Sequence, residues 1–151
     1  MSQKNIIATL LTLFLMATLH AEETDSSKME AKVKDKIQIC VSCHGEKGAT
    51  IMPVYPILAG QNFYYTYVQL KDLKSGYRKN EIMAAMVQDL SKDEMKLLAG
   101  HFSEQAWPET KHKSDAGKTD IAIMAIDAVQ CVQGHRGGVE GESRNPRLSG
   151  Q

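Results

Sequence analysis

The sequence predicts an all-α fold of three to four short helices, and two observations carry that expectation. Two Ser-x-x-Glu boxes, Ser27 to Glu30 and Ser91 to Glu94, each open onto apolar residues at helical spacing, which is how a helix with side-chain-capped first amides reads. No run of alternating β-branched residues, the mark of a strand, accompanies the cysteine-containing stretch near residue 40. The chain has 151 residues, 42% hydrophobic and 24% charged, an ordinary globular composition. Its 18 basic side chains balance 18 acidic ones, so it lacks the basic excess that displaces counterions from nucleic-acid phosphates, and nucleic acid is excluded as a partner.

In chain order, residues 1–21 read as a secretory signal. Lys4 supplies a positive start, and Ile6 to Leu19 is an uncharged run. At about 14 residues that run is short of the roughly 20 a spanning helix needs, and it ends on the small residue Ala21. An uncleaved N-terminal anchor is the alternative. Residues 22–106 form the first globular part. Its first helix starts at Ser27, places Met29, Val33, Ile37 and Val41 on one stripe, and delivers Cys40. A second helix follows Asn62 as N-cap, runs Phe63 to Ser75 with Tyr64, Tyr67, Val68 and Leu70 inward, and closes on Gly76. The third begins at the Ser91 box and carries Met95, Leu98 and Phe102 on one stripe. Trp107 to Thr119 reads as a polar linker, with Trp107 packed between the two halves. Ile121 to Gln130, capped by Asp120, reads as a further helix.

Export places three cysteines in an oxidising compartment, too few for a disulfide scaffold. Two of them sit in Cys40-Val41-Ser42-Cys43-His44, which is C-x-x-C-H, the attachment signature of c-type haem. Cysteines three apart on a helical turn point to one side, where two thiols meet two vinyl groups on one porphyrin edge, and the following His44 reaches the iron. A thioredoxin-like redox pair needs a strand-rich context, and a structural zinc site needs four ligands. Neither context is present, since His101 and Cys131 stand at no zinc spacing from the pair.

Through Cys40-Val-Ser-Cys43-His44-Gly45-Glu-Lys-Gly48, Pro56-Ile-Leu-Ala-Gly60-Gln61 and Met83 ahead of a closing helix, residues 28 to about 106 resemble the class I c-type cytochromes. The resemblance implies a class I cytochrome c fold around one covalent haem c. It implies that the carbonyl of Pro56, twelve residues after His44, accepts the proton of the histidine's second nitrogen, fixing its tautomer; Pro56 also reads as a plain loop residue. It further implies a methionine as sixth iron ligand, a soft thioether that favours ferrous iron. Met83, seven before Leu90, holds that position, with Met86 as close rival and Met52 as outsider. For Arg78 two readings stand open, a propionate partner or a solvated loop arginine. His101 reads as a surface or core-edge histidine.

The second half repeats the motif. Cys40-Val-x-x-His44 recurs as Cys131-Val-x-x-His135, and Pro56-Ile-Leu-Ala-Gly-Gln61 as Pro146-Arg-Leu-Ser-Gly-Gln151. The pattern resembles the tandem dihaem cytochromes of the bacterial periplasm, with two departures. Gly134 stands where the second cysteine belongs, so at most one thioether can form. No methionine follows His135. Residues 120–151 therefore read as an incomplete second unit, vestigial or truncated, with the alternative that Cys131 and His135 hold a haem through a single thioether.

The function implied is single-electron transfer in the periplasm, with no small-molecule substrate. Partners are redox proteins of a respiratory or oxidising pathway, membrane-bound oxidases or reductases among them, and the short basic run Lys111-His112-Lys113 is either solvated or steers an acidic one. Two other readings are the cytochrome subunit of a periplasmic oxidoreductase such as a flavocytochrome dehydrogenase, and a peroxidase or gas sensor with an open iron position.

Overall fold

A computed structural model describes residue 31, residues 33–110 and residues 115–150. The signal segment, the Ser27 to Glu30 box, Lys111 to Lys113 and Gln151 lie outside the described residues. The chain divides into two compact bodies, residues 1–36 and 37–151; of the first, the described residues are helical and Val33 is buried.

Six helices are described: α1 over residues 33–44, α2 Phe63–Ser75, α3 Glu81–Val87, α4 Lys92–Ser103, α5 Ala116–Ala128 and α6 Cys131–His135. Among the described residues there is no strand, only an isolated antiparallel bridge between Glu142 and Asn145. The all-α expectation holds.

The core of the first half lies where α2 packs on α4 and, less extensively, on α3. Phe102, Leu98 and Val87 are the largest fully buried side chains among the described residues, joined by Leu73, Leu90 and Met95. Each such side chain contributes about 1.5–3 kcal/mol by leaving water. α4 starts on the expected capping box, the Ser91 hydroxyl accepting from the Glu94 amide at 3.3 Å and Glu94 Oε2 accepting from the Ser91 amide at 2.8 Å. Its Met95, Leu98 and Phe102 are buried, as the stripe requires. α2 has the expected bounds, and Gly76 ends it with the left-handed φ of 79° that glycine tolerates best.

Four details differ from the sequence reading. Asn62 does not cap α2 with its side chain; its amide Nδ2 donates instead to the carbonyl of Asn145. Tyr64 faces outward, while Thr66, Tyr67 and Leu73 form the buried face. Met83, expected only to precede the closing helix, lies in a short helix of its own, α3, which Asn80 Oδ1 caps by accepting from the Met83 amide at 2.9 Å. α5 begins at Ala116, so the last residues of the expected linker are helical: Asp115, not Asp120, is the cap, accepting from the Gly117 amide at 2.9 Å. α5 ends at Ala128, and Gln130 with φ 55° separates it from α6.

Candidate haem-binding site

α1 carries the first motif. Its last turn closes with the Gly45 amide donating to the Val41 carbonyl at 2.9 Å. Cys40 is half-buried, Cys43 exposed and His44 buried at 5% exposure. The two cysteines are not disulfide-bonded.

The chain after His44 turns through a 3-10 segment, Glu46–Gly48, and returns along the loop 56–61. Leu58 and Ala59 donate their amides to the Gly48 carbonyl at 2.9 and 3.1 Å, and Gly60 donates to the Phe102 carbonyl at 2.8 Å. Gly48 must be glycine twice over. Its φ is 79°, and a Cβ there would stand 2.8 Å from Phe102 Cδ1 and 2.9 Å from Leu58 Cβ. This pinned loop sets the Pro56 carbonyl 2.9 Å from His44 Nδ1, which donates to it. The hydrogen bond implied by the resemblance is therefore formed, and it commits Nδ1, leaving Nε2 as the nitrogen able to ligate a metal.

The donor set fits a c-type haem. A buried imidazole is fixed at one nitrogen, and two unbridged cysteines three apart sit on the helix that carries it. Cys40 and Cys43 would form the thioethers and His44 would ligate the iron. Of the three methionines considered, Met83 is half-buried while Met86 and Met52 are 52% and 53% exposed. Arg78 donates to Gln69 Oε1 at 2.7 Å. His101 packs edge-on against Phe102, with ring centroids 5.1 Å apart, at the core edge.

The second motif copies the backbone of the first. His135 Nδ1 donates to the Pro146 carbonyl at 2.9 Å. Leu148 and Ser149 donate to the Val139 carbonyl at 2.9 and 3.2 Å, as Leu58 and Ala59 do to Gly48. The left-handed positions return as well, but occupied by other residues: Gly45 and Gly48 correspond to Arg136 with φ 66° and Val139 with φ 51°. A β-branched residue there is strained. Around it the second site is poorer than the first: no residue of α5 or α6 is buried, and Ile121, Met124 and Val129 are 66%, 66% and 71% exposed.

The two halves meet through their loops. Gln61, 3% exposed, pairs with the backbone of Arg147, and Arg144 lies over the Tyr64 ring and donates to its hydroxyl at 3.3 Å. That bond and the guanidinium charge hold the Tyr64 phenol below its usual pKa. Trp107 sits between, with the Arg147 guanidinium 4.5 Å above its ring. A Cβ on Gly60 would stand 3.0 Å from the Trp107 amide nitrogen, and one on Gly150 2.8 Å from Trp107 Nε1. The sequence reading missed the contacts of Gln61, Asn62, Arg144 and Asn145. Its one usable signal was Gln61 itself, a polar residue closing an apolar loop and repeated at Gln151.

No family model matches the chain. The cytochrome c-554(548) of Halomonas halodenitrificans is 37% identical over 48% of this chain and 90% of its own length. The cytochrome c4 of Thiocapsa roseopersicina is 32% identical over 75% of this chain, which spans 62% of that relative. Among solved structures, Acidithiobacillus ferrooxidans cytochrome c4 superposes with a TM-score of 0.66 at 32% identity, covering 74% of this chain and 72% of that one.

Proposed function

We propose a function on a secured premise: the chain belongs to the cytochrome c4 family of class I c-type cytochromes, which are electron carriers. In our reading it carries single electrons in the periplasm, exported by residues 1–21, with one haem c in the first half, residues 22–106. Bound there, the haem supplies a one-electron ferric-ferrous couple. The chain's own residues do the rest. Cys40 and Cys43 tether the ring through their sulfurs. His44 would ligate the iron through Nε2, and the Pro56 carbonyl holds its Nδ1 proton, fixing the tautomer and raising the basicity of the other nitrogen. Met83 would supply the second protein ligand to the iron, a choice supported by its half-burial against the exposure of Met86 and Met52.

The observation that carries this reading is the buried His44 with Nδ1 committed to Pro56. In our reading residues 120–151 are a remnant second unit. The missing second cysteine at Gly134, the strained Val139 and the exposed α5 support that. Partners are redox proteins that dock transiently. Absorption spectroscopy of the mature protein tests the ligand set. A methionine-to-iron band and no reaction with carbon monoxide are expected; rapid carbon monoxide binding by the parent chain overturns Met83 as ligand and points to an open-site function.

A further inference from the structure

Gln61 stands at the junction of both histidine-orienting loops. Its Nε2 donates to the Arg147 carbonyl at 3.2 Å, and its Oε1 accepts from the Arg147 amide at 2.8 Å and from the Asn62 amide at 2.9 Å. A side-chain amide here reads a backbone as a neighbouring strand would, donating and accepting on the same residue. Gln61 belongs to the loop whose Pro56 carbonyl holds His44, and the residue it grips follows Pro146, whose carbonyl holds His135. With Gln61 at 3% exposure, these bonds compete little with water and are the stronger for it.

The remaining backbone anchors of the two loops lie within their own halves, while the Asn62 side chain also crosses, to the Asn145 carbonyl. The first is tied to Gly48 and Phe102, and the second to Val139. The Gln61 amide is the buried side chain that joins one loop to the other. The second loop rests on a turn that holds left-handed backbone at Arg136 and Val139 without the glycines its counterpart uses, so the turn's own sequence does not favour the shape that supports the loop. A contact from outside must help impose it, and Gln61 supplies one.

We propose that Gln61 is a positioning residue that couples the two halves: it imposes the fold of the second loop and, through the same loop, sets the Pro56 carbonyl against His44. The second half then acts on the first site as a brace. This rests on the reading of His44 as an iron ligand given above. It assigns the second half a present task whether or not Cys131 carries anything.

The test uses the full mature chain with its haem attached, comparing the parent with Gln61→Ala, Gln61→Glu and the surface control Lys96→Ala. Two quantities are read: the midpoint potential of the first-site haem, and the rate of tryptic cleavage after Arg144 and Arg147. Gln61→Ala is expected to speed that cleavage about tenfold, as loss of its two hydrogen bonds to Arg147 allows, and to shift the potential. Gln61→Glu, which keeps Oε1 and loses the Nε2 donor, should fall between it and the parent, and remains informative should the alanine variant fail to fold. Faster cleavage with an unmoved potential overturns the coupling and leaves Gln61 a docking residue only; no change in either overturns the inference whole. A parent chain without covalent haem on the Cys40 to His44 peptide would overturn the functional reading, and this inference with it.

Discussion

His135 Nδ1 meets the carbonyl of Pro146 at 2.9 Å, the same distance at which His44 meets Pro56. The separation in sequence is eleven residues in one pair and twelve in the other, yet the hydrogen bond is kept. The same histidine-orienting hydrogen bond is thus present in a half that has a glycine at 134 in place of the second cysteine and no buried residue in α5 or α6. Histidine orientation is set by a short loop returning to one helix turn, whereas enclosure needs several helices. The first takes only a short loop and the turn it returns to, gripped here from the first half by Gln61.

Met83→Ala should abolish the methionine-to-iron band and open the site to carbon monoxide, while Met86→Ala, at an exposed position, leaves both unchanged. Absorption spectra of the reduced proteins with and without carbon monoxide read this directly. The reverse pattern would transfer the ligand role to Met86.

Phe102→Ala should destabilise the first half by about 3–5 kcal/mol. Its ring is 2% exposed and fills the space beside Gly48, and its carbonyl receives the Gly60 amide. Denaturant unfolding followed by circular dichroism measures the loss. A cost below about 1 kcal/mol would mean the site loops do not rest on this ring.

Val139→Gly should stabilise the second loop, because a β-branched residue at φ 51° carries about 1–2 kcal/mol of left-handed strain that glycine does not. Amide exchange at Leu148 and Ser149, both bonded to the Val139 carbonyl, should slow several-fold. Faster exchange would show that the valine side chain holds the loop in some other way.

Tyr64 should titrate below the ordinary tyrosine range. The hydrogen bond from Arg144 and its positive charge both favour the phenolate. Since the folded value lies below the unfolded one, the pair adds stability fully only above the ordinary tyrosine range and loses it as pH falls through the lowered value. Spectrophotometric titration should show the Tyr64 phenolate forming early in the parent and later in Arg144→Ala.

Much of the site was legible because it is local. C-x-x-C-H needs one helical turn, and the Pro56 carbonyl needs only the return of a short loop pinned at Gly48. The helix bounds of α2 and the capping box of α4 were legible for the same reason, being written in Gly76 and in Ser91 with Glu94. What escaped was long-range. Asn62 resembled a cap until the carbonyl of Asn145, 83 residues away, took its amide. Tyr64 has the right spacing for the α2 core face but serves Arg144 instead. The start of α5 was misplaced because a polar first turn, Ala116 to Asp120, looks like linker when its cap, Asp115, lies earlier in the same polar run.

The most direct test of the account is the intact mass and peptide map of the chain matured in a host that exports and attaches haem. The account predicts one covalent haem, on the peptide holding Cys40, Cys43 and His44, with the Cys131 peptide unmodified. A chain whose Cys40 to His44 peptide carries no haem would contradict it.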